Sequence, residues 1–171
     1  MSGQINVDSE LGVGTTFTVT VPFTVVREEK SSPDPKNIPV FSLDGKKILL
    51  AEDNMVNMEI ATEILSMNGV DIVQAWNGQE ALTRFKESKP FEFDAILMDM
   101  QMPQMDGCEA ARNIRSLSRP DARTIPIIAV TANAFAEDIA ATTAAGMNAH
   151  VSKPIDFNIL CQTLEKLIHN K

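Results

Sequence analysis

The sequence of 171 residues predicts an α/β protein, and its main part is expected to be a doubly wound, five-stranded parallel sheet over residues 45–171. Two observations predict this fold class. Short apolar runs, each with the length of a strand buried on both faces, alternate with longer segments of helical periodicity. Signals for helix starts fall between the runs. Five strands alternating with five helices are typical of a (βα)5 arrangement.

The strands and the buried helix positions follow from these patterns. The predicted strands are Ile48–Ala51, Val70–Ala75, Ala95–Met98, Ile127–Val130 and Ala149–Ser152. Apolar residues three or four positions apart indicate one buried face on each helix. The predicted buried positions are Val56, Ile60, Ile64 and Met67; Ala81, Leu82 and Phe85; Ala110, Ile114 and Leu117; Phe135, Ile139, Ala140 and Thr143; and Leu160, Leu164 and Leu167.

Two helix starts carry a specific signal. Asn77 precedes Glu80 by three positions, and Asp106 precedes Glu109 in the same way. Each pair places a capping oxygen ahead of a carboxylate that can reach back to the start of the helix. Asp106, directly before Gly107, is therefore interpreted as a turn and helix cap.

The first 44 residues have a different character. Alternating residues over Thr16–Val21, ended by Pro22, predict a strand that pairs with Gln4–Asp8. A hairpin of this size cannot bury its apolar face alone, so residues 1–26 are expected to be disordered, to dock on the following domain or to pair between chains as a dimer. Residues 27–44, rich in Pro, Ser and charge, predict a linker.

Composition excludes several classes of function. The chain has 15 Lys and Arg against 23 Asp and Glu, a net charge of -8, and no basic stripe. Direct contact with nucleic acid or an anionic membrane is therefore not expected. No apolar run of 18 residues and no signal peptide is present. The two cysteines, Cys108 and Cys161, fit a reduced cytoplasmic compartment and are predicted to be small buried residues.

Chemically active side chains collect where the predicted strands end. In a doubly wound sheet, ligands bind at the carboxyl ends of the strands, where the strand order reverses. The residues at these ends are Glu52 and Asp53 after the first strand, Asp99 after the third, Thr131 and Ala132 after the fourth, and Lys153 and Pro154 after the fifth.

This set of residues suits phosphoryl chemistry. Carboxylates about 4 Å apart repel by about 4 kcal/mol per pair at an effective dielectric near 20, so the cluster needs a cation. Oxygen ligands without nearby His or Cys favour Mg²⁺. A metal, the Lys153 ammonium and the Thr131 hydroxyl around one carboxylate are what a transferring phosphoryl group requires. No Ser, Cys or His stands beside a base at a central strand end, so an aspartyl phosphate is the available intermediate.

At these positions the chain resembles the receiver domain of two-component response regulators, which has a flavodoxin-like fold. The resemblance covers residues 45–171. It implies that Asp99 accepts a phosphoryl group from a phosphohistidine. It also implies that Asp53, Asp99 and the backbone carbonyl of Gln101 bind Mg²⁺, with Glu52 reaching the ion directly or through water.

The same resemblance assigns the remaining residues at the site. Thr131 would hydrogen-bond the phosphoryl oxygen, Lys153 would pair with it, and Pro154 would follow a cis peptide that aims Lys153. By the same resemblance, Ala132, directly after Thr131, is at a position that modulates the site.

Three further positions are expected to modulate the site. Gln101 and Asn133 flank the path of a hydrolytic water and are expected to tune phosphoryl lifetime, although Asn133 also fits an N-cap. His150 stands where the family usually carries Phe or Tyr, which is a departure. Two interpretations stay open for His150, a partly buried imidazole facing the fourth helix and a switch residue.

Residues 1–26 are similar to the last hairpin of a histidine-kinase ATPase domain, on the stretch "GQINVDSELGVGTTFTVTVPF". The order of hairpin, linker and receiver is typical of a hybrid histidine kinase. A membrane-bound parent kinase is compatible with this order. The rest of the kinase is absent, so this chain is not expected to bind ATP. The implied partners are a kinase dimerisation domain that carries the histidine or a histidine phosphotransfer protein.

Two alternative functions stay open from the sequence. One is a Mg²⁺-dependent phosphatase with Asp99 as nucleophile, but such enzymes need an acid/base carboxylate where this chain has Gln101. The other is an interaction module that binds partners without phosphorylation.

Overall fold

The computed structural model describes residues 3–22, 41–132 and 136–169. They belong to two compact units, residues 1–38 and 39–171. Most of the predicted linker, residues 27–40, lies outside the described residues. No described helix has the length and apolar character needed to cross a membrane.

The first unit contains an antiparallel hairpin. Strand β1, Gln4–Glu10, pairs with β2, Gly14–Thr20, which confirms the predicted pairing. Gly12 has a φ of 82°, a left-handed conformation that glycine adopts without steric cost. The cross-strand pairs Ile5 with Val19 and Val7 with Phe17 share one face. All four side chains are exposed, because no other residue within 3–22 covers that face.

The second unit is a five-stranded parallel sheet. Its strands are β3 Lys47–Ala51, β4 Asp71–Ala75, β5 Ala95–Asp99, β6 Ile127–Thr131 and β7 Ala149–Ser152. Their spatial order is β4-β3-β5-β6-β7, and every neighbouring pair is parallel. This order confirms the predicted doubly wound fold. The chain passes from β3 to β4 on one side of the sheet, and β5, β6 and β7 follow on the other side, so the strand order reverses between β3 and β5.

Five helices connect and cover the strands. They are α1 Met55–Met67, α2 Gly78–Glu87, α3 Gly107–Ser116, α4 Ala136–Ala144 and α5 Phe157–His169. Buried residues of α1 and α5 pack in one core cluster, and those of α2 and α3 pack in the other. The two clusters lie on opposite faces of the sheet, since residues of β5 alternate between them.

Side chains at the helix starts confirm the two predicted caps. Asn77 Oδ1 accepts the Glu80 N–H at 2.7 Å, and Asp106 Oδ1 accepts the Glu109 N–H at 2.7 Å. The structure adds a cap that the sequence patterns did not predict. Asn54 Oδ1 accepts the backbone N–H groups of the second and third residues of α1.

Two predictions about burial are wrong. Strands β4 and β7 are only partly buried, because they are the edges of the sheet and lack a neighbour on one side. Helices α1 and α4 turn other faces to the core than the predicted ones. In α1, Met58, Ala61 and Leu65 are buried, while the predicted Val56, Ile60 and Met67 are exposed and Ile64 is partly buried. Among the described side chains of α4, those of residues 139–144, Thr142 is buried, Ile139 is partly buried, and Ala140 and Thr143 are exposed. The predicted Phe135 lies outside the described residues.

A buried ion pair joins two loops at the amino end of the sheet. Arg119 Nε lies 2.6 Å from Asp121 Oδ1, and the guanidinium packs 4.2 Å from the centre of the Phe85 ring. Arg119 also donates to the backbone carbonyl of Lys89 at 3.0 Å. Asp121 Oδ2 accepts the Phe91 N–H at 2.7 Å. The pair therefore fixes the loop before β5 against the loop before β6.

These contacts set the pKa of Asp121. Burial acts to raise this pKa, but the hydrogen bonds from Arg119 and the Phe91 N–H outweigh burial and hold the pKa below its ordinary value. A carboxyl group whose pKa is depressed by folding contributes stability above its unfolded pKa of about 3.9. That contribution is lost as the pH falls through the folded value.

Replacing Asp121 with Ala is expected to lower the free energy of unfolding by about 3 kcal/mol at neutral pH, because Arg119 loses its buried charged partner. Urea unfolding followed by circular dichroism measures the loss. Arg84→Ala, which breaks the more exposed pair with Glu80, is the control and is expected to cost about 0.5 kcal/mol. The Asp121→Ala deficit should shrink as the pH falls below about 3.9. A loss of stability in Asp121→Ala no larger than that in Arg84→Ala would contradict the structural role of the Arg119–Asp121 pair.

Candidate functional site

Adjacent strands bring the predicted acidic residues together. Strands β3 and β5 are neighbours, and Ala51 at the end of β3 pairs with Met98 near the end of β5. Glu52 and Asp53 therefore leave the sheet beside Asp99. The site lies at the point where the strand order reverses, which is where doubly wound sheets bind their ligands.

The three carboxylates form one cluster. One oxygen from each of Glu52, Asp53 and Asp99 lies within 4.8 Å of the other two. Glu52 and Asp99 are buried and Asp53 is exposed. Three oxygen donors of negative charge, with no nitrogen or sulfur ligand among them, fit a hard divalent cation such as Mg²⁺.

Lys153 is the cation that the chain itself supplies to this cluster. Its Nζ lies 2.7 Å from Asp99 Oδ2 and 2.8 Å from Glu52 Oε2. The Lys153 backbone N–H donates to the Thr131 carbonyl at 2.7 Å, which holds the residue at the end of β7. The peptide bond between Lys153 and Pro154 is cis.

Burial and pairing shift the ionisation of both partners. Burial raises the pKa of Asp99 above its ordinary value, and the opposing hydrogen bond from Lys153 does not cancel this effect. Burial also acts on Lys153, where it lowers the pKa, but hydrogen bonds to Asp99 and Glu52 outweigh it and the pKa is raised. Lys153 is therefore a permanent cation at neutral pH, beside a carboxylate whose charge is costly to bury.

An open pocket of about 660 Å³ lies against the cluster. Its lining residues come from the loops after β3, β5 and β6: Asp53, Met100, Gln101, Met102, Pro103, Asp106, Cys108, Thr131 and Ala132. The Gln101 N–H donates to Asp99 Oδ1 at 3.3 Å, which ties the loop to the end of β5. The pocket is large enough for a phosphoryl group, and Asp53 and Thr131 both line it.

The loop after β5 closes tightly on itself at Gly107. The Gly107 N–H donates to the Met100 carbonyl at 3.1 Å. A Cβ at Gly107 would collide with the Asp99 carbonyl oxygen. Glycine at this position therefore lets helix α3 begin directly beside Asp99.

The sequence patterns missed two residues that hold Glu52. Asn57 Nδ2 donates to Glu52 Oε1 at 2.9 Å, and the Asn54 N–H donates to the same oxygen at 3.3 Å. Asn54, directly after the acidic pair, offered the signal of an N-cap residue type ahead of a helix. No local pattern identified Asn57, because its contact with Glu52 depends on the fold.

Burial differs from the prediction at two positions near the site, and one position cannot be placed. His150 is exposed, which contradicts its interpretation as a partly buried imidazole, whereas its role as a switch residue stays a prediction. It borders a groove of about 350 Å³ with Thr163, Lys166 and Leu167 of α5. It is exposed because β7 is an edge strand. Cys108 is partly exposed and lines the pocket, whereas Cys161 is buried as expected. Asn133 lies outside the described residues.

A doubly wound five-stranded sheet with an acidic cluster, a lysine and a threonine at its strand ends defines the receiver class of two-component signalling proteins. The family model for the response regulator receiver domain matches residues 48–165. The chain therefore belongs to the response regulator receiver domain family, and its function is that of a phosphoacceptor module in two-component signal transduction.

Several known two-component proteins are similar to this chain, and the share of the chain that they match differs between them. Sensor protein EvgS of Escherichia coli K12 is 29% identical over 167 residues, covering 98% of this chain and 13% of EvgS. The chain thus spans about an eighth of that relative's length. The receiver domain of sensor histidine kinase PA1611 from Pseudomonas aeruginosa, solved with a magnesium ion in its active-site cleft, is 36% identical with a TM-score of 0.66. The match covers 73% of this chain and 98% of that one.

A third similarity concerns a complex. The chain is 28% identical, with a TM-score of 0.63, to a chain in the Saccharomyces cerevisiae co-crystal structure of the histidine phosphotransfer signaling protein Ypd1 and the receiver domain of its downstream response regulator Ssk1. The match covers 71% of this chain and 88% of that one.

Asp99→Asn is expected to raise the free energy of unfolding by about 1 kcal/mol in the presence of a chelator, because it removes a buried charge from a repulsive cluster. Urea unfolding measures the change. Added Mg²⁺ should reduce the difference in the free energy of unfolding between Asp99→Asn and the parent chain, since the ion stabilises the folded parent chain through its carboxylates. The control is Asp106→Asn, which keeps a capping oxygen and is expected to change stability by less than about 0.5 kcal/mol. A destabilised Asp99→Asn protein would show that the pair with Lys153 outweighs the repulsion.

Proposed function

We propose that Asp99 is the phosphoacceptor and that it takes its phosphoryl group from a phosphohistidine. The observation that carries this proposal is the position of Asp99, a buried carboxylate at the end of the central strand β5, 2.7 Å from Lys153 and beside the open pocket. Glu52 accepts three hydrogen bonds, two of them on Oε1, whereas each oxygen of Asp99 accepts one. Asp53 is exposed, and we propose it as a metal ligand rather than as the nucleophile.

The reaction is an in-line displacement on phosphorus. A carboxylate oxygen of Asp99 attacks the phosphorus atom, the P–N bond of phosphohistidine breaks, and its electron pair returns to the imidazole nitrogen. Lys153, already paired with Asp99, compensates charge on the phosphoryl oxygens. Thr131, which lines the pocket, donates its hydroxyl to one of these oxygens.

Within this proposal, Asp53, Asp99 and the backbone carbonyl of Gln101 hold Mg²⁺, and Glu52 reaches the ion directly or through water. The bound ion supplies charge neutralisation at the phosphoryl oxygens. The oxygen-only donor set and the 4.8 Å cluster support this assignment. Gln101 and Ala132 line the pocket and are proposed to tune the lifetime of the phosphoryl group.

A surface beside the site supports a helical partner. Met55, Val56 and Ile60 of α1 are exposed at 63%, 57% and 47%, and Ile159 of α5 at 53%. These apolar side chains lie on two neighbouring helices next to a groove of about 200 Å³ that includes Lys153 and Pro154. We propose that this surface binds the partner that carries the phosphohistidine, either a kinase dimerisation domain or a histidine phosphotransfer protein.

The hairpin supports an origin in a larger kinase. Residues 1–26 are proposed to be the last hairpin of a histidine-kinase ATPase domain, and residues 45–171 the receiver that follows it. The exposed apolar pairs of β1 and β2 are what such a hairpin would bury against the rest of that domain. The chain has two cysteines, Cys108 and Cys161, too few for a disulfide framework, which fits a cytoplasmic location.

Incubation with acetyl phosphate and Mg²⁺ is expected to add one phosphoryl group to the protein, detected by intact mass spectrometry. Asp99→Asn should abolish the addition, because the substitution removes the proposed nucleophile. Asp106→Asn is the matched control and should still be labelled, since Asp106 caps α3. Chelation of Mg²⁺ should also prevent labelling. Labelling of the Asp99→Asn protein would overturn the assignment.

Ile60→Glu is expected to slow phosphoryl transfer from a phosphorylated histidine phosphotransfer protein by about tenfold, because a charge is placed within an apolar interface. The rate with acetyl phosphate should not change, since Ile60 is outside the acidic cluster. Phe91→Glu is the control, since Phe91 is an exposed apolar residue at the opposite end of the sheet, 62% exposed against 47% for Ile60. Equal effects on both phosphodonors, or a matching effect of Phe91→Glu, would exclude this surface.

A further inference from the structure

Both oxygens of Glu52 have hydrogen-bond donors, and these donors come from two different parts of the fold. Lys153 Nζ reaches Oε2 at 2.8 Å from the end of β7. Asn57 Nδ2 and the Asn54 N–H reach Oε1 at 2.9 Å and 3.3 Å from the start of α1. Glu52 is only 3% exposed, so its orientation depends on these donors rather than on water.

The start of α1 departs from the usual capping box. In that motif, a Glu or Gln at the third helical position reaches back and accepts the N–H of the N-cap residue. Here the N-cap is Asn54 and the third helical position is Asn57. The Asn54 N–H is directed at Glu52 instead, and the Asn57 side chain acts as a second donor to the same oxygen. Glu52 thus supplies the acceptor that the helix lacks at its third position.

We infer that Asn57 is a positioning residue for the carboxylate cluster, acting only through Glu52. Its backbone is fixed by the Asn54 cap at 3.2 Å, so its amide group is held at a defined place beside the cluster. The inference rests on the proposed Mg²⁺ site and deepens it. Asn57 itself need not contact the metal or the phosphoryl group.

Loss of the Asn57 amide leaves Glu52 Oε1 with only the longer hydrogen bond from Asn54. The buried carboxylate then keeps its strong hydrogen bond from Lys153 at Oε2, but Oε1 is no longer held at a defined place in the cluster. Partners that orient metal ligands typically change metal affinity by about 10–100-fold. The expected consequence is weaker Mg²⁺ binding, together with a change in the hydrogen bond at Asn54 that is visible without metal.

Asn57→Leu removes the hydrogen bond at nearly constant size. Mg²⁺ titration of the full chain, followed by amide chemical shifts in NMR spectra, is expected to show an increase of about tenfold in Kd. In metal-free protein the Asn54 amide resonance should move and its hydrogen exchange should accelerate. Asn57→Ala also removes the amide and places a good helix former at this position, so it gives the same test if the leucine variant does not fold.

Thr62→Val is the matched control. It removes one side-chain hydrogen bond on the same helix, the 3.0 Å contact from Gln74, away from the cluster. Its Mg²⁺ affinity and its Asn54 resonance should match those of the parent chain. A loss of Mg²⁺ affinity in Thr62→Val equal to that in Asn57→Leu would show that the effect is only one of helix stability.

A double-mutant cycle with Glu52→Ala tests the route of the effect. Once the carboxylate is gone, Asn57→Leu should cause no further change in Mg²⁺ affinity. An unchanged Kd in Asn57→Leu alone, or the same tenfold change in the Glu52→Ala background, overturns the inference. Failure of the parent chain itself to bind Mg²⁺ would instead refute the proposed metal site, so the two failures are distinguishable.

Discussion

Electrostatic repulsion among three carboxylates is the constraint around which the site is built. Parallel strands that reverse their order at β3 and β5 bring Glu52, Asp53 and Asp99 to one edge of the sheet. Two of these groups are buried, where charge is costly. Lys153 offsets part of this cost by pairing with both buried carboxylates. The remaining negative charge favours a cation at the proposed metal site and makes the buried Asp99 carboxylate unfavourable for stability in the absence of one.

The fold supplies this arrangement from distant parts of the chain. Lys153 reaches across from β7, two strands away from β5, and Asn57 reaches in from the helix that follows β3. Gly107 lets α3 begin against the Asp99 carbonyl, so the same residue that ends the central strand also contacts a helix start. Each support comes from a different loop at the carboxyl end of the sheet. Movement of any of these loops is therefore transmitted to Asp99 or Glu52.

An exposed apolar surface on α1 lies next to the acidic site in this molecule. Helix α1 carries apolar residues on more than one face, so its predicted core stripe and its observed core stripe differ. The stripe of Val56 and Ile60 that the periodicity assigned to the core is exposed, because Met58, Ala61 and Leu65 fit against the sheet instead. This exposed stripe lies beside the groove that includes Lys153. The mistaken prediction thus identified the surface that we propose for partner binding.

The sequence by itself determined the alternation of strands and helices, two of the helix caps and the residue types at the strand ends. These features depend on local patterns of burial and hydrogen bonding, which the chain records within a few residues. The tertiary structure decided which helix faces are buried, which strands are edges, and that Asn57 holds Glu52. These features depend on packing between segments far apart in sequence. Asn57 shows the difference, because an asparagine near a helix start is unremarkable until the fold places a buried carboxylate 2.9 Å from its amide.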